Sequence, residues 1–136
     1  MFLLDTNVLS ELIKPRPDRA ISRRVLDAPA GTLFASEITR YELRYGAFLH
    51  RRPDPFWAGI QAVILPIPLW LPITAEISEQ TAIIAARLRR IGRGAGVIDP
   101  FIAATAQVHD LTLVTRNLRH FANIEEVVTE SWFSVA

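Results

Sequence analysis

Short apolar runs alternate along this chain with segments of helical period, and few architectures accommodate that alternation. Phe2–Leu4 is uniformly apolar and stops at Asp5, as a parallel strand buried on both faces does. Val8, Leu9, Leu12 and Ile13 then recur at helical spacing with Ser10, Glu11 and Lys14 outward, until Pro15 ends the helix. A second helix is expected over about 19–26 and a strand over Thr32–Ala35. Ser36 then caps a helix to about Leu49, whose Ile38, Tyr41, Tyr45 and Phe48 form an apolar stripe toward the core. A buried extended segment is expected within Ile67–Ile73, a long helix over about 75–91, and strands at Leu111–Thr115 and Val127–Val128. Between these, Asp99-Pro100 opens a helix with almost no polar face until Gln107, as a buried helix has. Strands alternating with helices predict a single α/β domain over residues 1–136, built on a mainly parallel sheet.

Composition narrows the chemistry. Half of the 136 residues are apolar, so disorder is excluded. The chain has no cysteine, which removes disulfides, thiolate metal ligands and a thiol nucleophile. Fifteen basic against fourteen acidic residues argue against binding nucleic acid by bulk attraction. All the basic residues but Lys14 are arginine, which suits bidentate phosphate contacts, although a GC-rich coding sequence produces the same bias. Residues 55–75 carry no charge and are long enough to cross a bilayer, but Pro55, Pro66, Pro68 and Pro72 interrupt them. They are expected to form a short helix to about Leu65 and then an extended stretch. With no basic region or cleavage site behind Met1, the expected location is the cytoplasm.

In an open parallel sheet, ligands bind beyond the carboxyl ends of the strands, so acidic residues there matter first. Asp5 follows the first strand directly; as a helix cap it would need no other role. Glu42 falls on the flank of the core-facing stripe, where a carboxylate is rare unless paired or metal-bound; a partner such as Arg116 would also satisfy it. Capping fully explains the Asp99-Pro100 pattern; the location points to the site, because this helix precedes the Leu111 strand and its N-terminus returns to the edge that carries Asp5. Asn117 lies just past that strand and reads as an amide ligand or as a turn residue. Two Asp and one Glu supported by Asn form a hard all-oxygen set of the kind Mg²⁺ or Mn²⁺ occupies. The loop Gly92-Arg93-Gly94-Ala95-Gly96 is neither a Walker loop nor a dinucleotide fingerprint. His50, His109 and His120 are not at metal-ligand spacing.

Four blocks, Leu3–Glu11, Ile38–Gly46, Asp99–Ala106 and Leu113–Asn117, together resemble PIN-domain ribonucleases, and among them the VapC-type toxins of prokaryotic toxin–antitoxin pairs. The resemblance covers nearly the whole chain in order. It implies a three-layer fold with about five strands and hydrolysis of RNA phosphodiesters by a metal-activated water. Asp5, Glu42 and Asp99 fall on the family's catalytic acidic positions and would bind Mg²⁺ or Mn²⁺, with Asn117 assisting. Many relatives carry Asp where Asn117 stands, so one firmly bound ion is expected and a second is open. Thr6, Arg40, Thr115 and Arg116 are the expected substrate contacts. The implied partners are RNA, a cognate antitoxin that alone contacts DNA, and a second copy of the chain, with Leu43 and the proline-rich stretch as candidate dimer contacts. The rival is a non-catalytic PIN-like module that dimerises or binds RNA; a receiver domain is disfavoured because the only lysine lies on the first helix.

Overall fold

The computed structural model describes residues 1–135. Five parallel strands form one sheet: β1 Phe2–Leu4, β2 Leu33–Ser36, β3 Leu69–Leu71, β4 Thr112–Val114 and β5 Thr129–Glu130, in spatial order β3-β2-β1-β4-β5. The helices are α1 Thr6–Glu11, α2 Arg19–Asp27, α3 Glu37–Leu49, α4 Pro53–Val63, α5 Ala75–Arg90 and α6 Ile98–Val108, with a 3₁₀ turn over Leu118–Phe121. Both faces of the sheet are covered, which accounts for the uninterrupted apolar strands. Leu4 and Val114 point into a core shared with Val8, Leu9, Ile21 and Ile60 on one side. Leu3 and Leu113 point into a second core with Ile77, Ile84 and Ile102 on the other.

The strand order sets where a site can form. The chain builds outward from β1 through β2 to β3, then returns to lay β4 on the opposite edge of β1. Loops from the carboxyl ends of β1 and β4 therefore diverge and leave a crevice between them. Asp5 ends β1 and Thr115 ends β4, so this crevice begins with residues the sequence had singled out.

Four expectations change. The Tyr41-Tyr45-Phe48 stripe of α3 faces outward, and α3 buries Thr39, Leu43 and Ala47 instead. Its small residues let α3 pack closely, while the aromatic side chains stay on the open face. Leu43, expected as a dimer contact, is 5% exposed and belongs to the core. The segment around β3 is an edge strand rather than a buried one, with Leu69 exposed. The last strand lies at Thr129–Glu130, two residues past Val127–Val128; Val128 contributes only its carbonyl, which accepts from the Leu113 N–H.

Candidate active site

Asp5, Glu42 and Asp99 arrive from three separate segments and line one cleft of about 500 Å³, with Thr6, Asn7, Asn117 and His120. Asp5 does cap α1, accepting from the Thr6 N–H at 2.8 Å. Its second oxygen accepts from the buried Thr115 hydroxyl at 2.9 Å and from the Asn7 amide at 3.4 Å. Asp5 therefore caps α1 and lines the cleft with the same carboxylate. Glu42 reaches the cleft because it lies on the seam of α3 between the buried face and the aromatic stripe, and the Thr6 hydroxyl donates to its Oε1 at 2.6 Å. Arg116 does not pair with it. Asp99 is not a cap: α6 starts at Ile98 without side-chain capping, and the Asp99 carboxylate stands 3.3 Å from His120 Nδ1.

The electrostatics of the cleft are unfavourable without a cation. Burial holds the Asp5 carboxyl above its ordinary range, with the Thr115, Thr6 and Asn7 donors offsetting part of the effect. Glu42 is raised by burial, against the Thr6 bond, and further by the charges of Asp5 and Asp99. Asp99 is raised by burial and by Asp5, against the compensating His120. Three partly desolvated carboxylates that repel one another, all with hard oxygen donors, fit a divalent ion by the chemistry of the set. As they stand, no three Asp, Glu or His side chains among the described residues are gathered tightly enough to ring an ion.

The remaining expected residues divide. Asn117 lines the cleft, and its N–H donates to Thr115 Oγ1 at 3.0 Å. Thr115 is fully buried, so it supports Asp5 rather than touching substrate. Arg40 lies outside the cleft, because it is two residues from Glu42 and so projects from nearly the opposite side of the helix. It pairs with Glu37 at 2.6 Å and lies 4.5 Å over the Trp70 ring. The Arg116 guanidinium turns to Glu11 at 3.3 Å and to the Phe133 ring at 4.0 Å, while its N–H donates to Asn7 Oδ1. Glu11, expected outward, is 5% exposed and is held by Arg116 and by Lys14 at 3.0 Å.

The turn after Asn117 brings His120 into the cleft, where its pairing with Asp99 was not foreseen, because no spacing signal links the two. Sequence reasoning also set aside the glycine loop, whose Ala95 and Gly96 form a wall of the cleft. Gly96 has φ +70° there, a conformation that favours glycine just before α6 turns in.

The PIN domain model matches residues 2–127. The chain is 34% identical over 131 residues to the tRNA(fMet)-specific endonuclease VapC of Shigella flexneri, covering 96% of this chain and 97% of that one. Among solved structures, the DNA-bound VapBC of Salmonella typhimurium matches with TM-score 0.82 and 32% identity, covering 96% and 97%. A toxin–antitoxin complex from Klebsiella pneumoniae matches with TM-score 0.72 and 25% identity, covering 99% and 100%. Sequence and overall fold agree with these matches, and the chain belongs to the PIN-domain family, in its VapC branch.

Proposed function

We propose that this protein is an endoribonuclease that works with a divalent cation, Mg²⁺ or Mn²⁺, and is the toxin member of a toxin–antitoxin pair. The observation that carries the reading is the convergence of Asp5, Glu42 and Asp99 on one open cleft, each with its carboxyl raised by burial. Asp5, Glu42 and Asp99 would hold the divalent cation, which would supply charge neutralisation for a phosphodiester and a lowered pKa for a water. Asp5 offers a carboxylate whose position is fixed by Thr6, Asn7 and Thr115. Thr6 aims Glu42 into the same space, and His120 steadies Asp99. Asn117 presents a neutral amide that orients a phosphate oxygen without adding repulsion. The relatives' toxin–antitoxin complexes, one of them bound to DNA, support a cognate antitoxin as partner; on this reading the antitoxin covers the cleft and is the member that contacts DNA. The exposed Tyr41, Tyr45 and Phe48 face of α3 supports pairing of two copies. No helix among the described residues is long and apolar enough to cross a membrane.

The test is cleavage of a labelled RNA by the purified protein. Cutting is expected with Mn²⁺ or Mg²⁺ and not in EDTA. Undiminished cutting in EDTA contradicts the proposal, and absence of both cutting and calorimetric Mn²⁺ binding at millimolar ion favours the non-catalytic module.

A further inference from the structure

A second depression, about 1220 Å³ and distinct from the acidic cleft, lies between α2 and the segment after β5. Arg16, Arg19, Arg23 and Arg24 line it, with Asp27 as the sole acidic side chain, beside Trp132 and Phe133. In a chain of fifteen basic and fourteen acidic residues this is a local concentration of positive charge. Local helix rules do not account for it. Arg19 occupies the first position of α2, against the positive end of the helix dipole, and stands four residues from Arg23, a like-charge spacing that weakens a helix. Among the described residues, Arg16, Arg19 and Arg23 have no carboxylate at ion-pair distance.

The groove is also organised. Arg24 lies 4.4 Å over the buried Trp132 ring, with Glu130 at 3.7 Å, so its planar fork is held in place before any ligand arrives. Ser134 donates its N–H and hydroxyl to Asp18, the cap of α2, and so fastens the far wall to the helix. Arg116 joins the groove to the cleft. Its N–H is bonded to Asn7 of the cleft, and its guanidinium covers Phe133 of the groove.

We propose that this groove binds the phosphates of the single-stranded RNA running out of the acidic cleft. The inference takes the nature of the strand from the ribonuclease reading. The division of labour follows from charge. The cleft repels phosphate until a cation is present, whereas four arginines attract it with or without one, so the groove holds the strand and the cleft acts on it. Sequence-independent contacts of this kind position a strand without selecting bases.

The experiment measures binding in EDTA, so that it stands even if the protein does not cleave. The probe is a fluorescein-labelled 20-nucleotide oligouridine, titrated with wild type, with the double variant Arg19→Gln/Arg23→Gln, and with Arg89→Gln/Arg90→Gln on exposed α5 as a control of equal charge. At about 0.7 logarithmic units of salt dependence per phosphate contact on single strands, removing two contacts lowers the slope by about 1.4 and weakens binding about 25-fold at 0.1 M salt. The control variant is expected to stay within about twofold of wild type. Equal affinities for wild type and groove variant overturn the proposal, as does an equal loss in the control, which would mean bulk charge alone. If the groove variant keeps its RNA affinity and instead loses affinity for a polyglutamate peptide, the groove is a protein-docking surface and the proposal is wrong. Failure of wild type to cut RNA with Mn²⁺ would count against the ribonuclease reading and leave this measurement intact.

Discussion

Thr115→Val removes one hydroxyl from the centre of the site and little else. The side chain is fully buried, and valine fills nearly the same volume. The hydroxyl donates to Asp5 Oδ2 at 2.9 Å and accepts from the Asn117 N–H at 3.0 Å. A hydrogen bond to an ionised group contributes about 1.5–3 kcal/mol, and a neutral one about 1. Asn117 lines the open cleft, so water replaces part of the second bond, and the expected loss near neutral pH is about 2.5 kcal/mol. For a domain of this size that corresponds to a Tm lower by about 10 °C. The loss must depend on pH. Asp5 has a folded pKa above its unfolded one, so its ionisation costs stability as pH rises through the folded value, and Thr115 is the largest effect reducing that cost. Below the unfolded pKa the carboxyl is neutral in both states, and the bond to it counts as an ordinary one. Urea denaturation near pH 7 and near pH 3.5 should therefore show a penalty falling to about 1 kcal/mol at the acid end. Thr115→Ser should restore most of the neutral-pH loss. An equal penalty at both pH values, or none near neutrality, refutes the claim that Thr115 supports an ionised Asp5.

Other expectations follow from the same geometry. Millimolar Mn²⁺ at a hundred times its Kd should stabilise the protein by about 2.7 kcal/mol, read as a Tm rise that Asp5→Asn abolishes. Arg40→Ala should leave RNA cleavage within about twofold of wild type, because Arg40 faces Glu37 and Trp70; a loss of cleavage comparable to that of a cleft variant would return it to the substrate path. Asp18 is held below its ordinary range by Ser134, so the stability it contributes is present near neutrality and lost as pH falls through its depressed folded pKa. Asp18→Asn should accordingly lower Tm at pH 7 more than at pH 3, and should speed proteolysis near Ser134. Ile102→Ala, in the second core, should cost about 2–5 kcal/mol by urea denaturation.

The parts legible in the sequence were those governed by short-range rules. A strand buried on both faces has to be apolar, and a carboxylate at its end has to lie on the ligand-binding edge, which located Asp5 and, through the returning helix, Asp99. Hydropathy could not orient α3, because Tyr41, Tyr45 and Phe48 carry more apolar surface than the Thr39 and Ala47 that it buries. An aromatic stripe signals a surface to be covered without saying whether this chain or another covers it. Glu42 was found all the same, since it borders both faces. Glu11 reads as a surface residue by period, and its burial is matched by two cations, Lys14 one turn on and Arg116 more than a hundred positions along. His120 and the arginine groove depend on tertiary placement in the same way.

On the proposed function, the three converging carboxylates form a cation-dependent hydrolytic centre that works against folding stability. The most direct measurement pairs Tm in EDTA with the initial rate of RNA cleavage in Mn²⁺, for wild type and Asp99→Asn. Asp99 is raised by burial and by Asp5, so a neutral amide should melt higher in EDTA near pH 7, while the cleavage rate falls by about 100-fold or more. A variant that melts lower yet still cuts at the wild-type rate would contradict both halves of the claim.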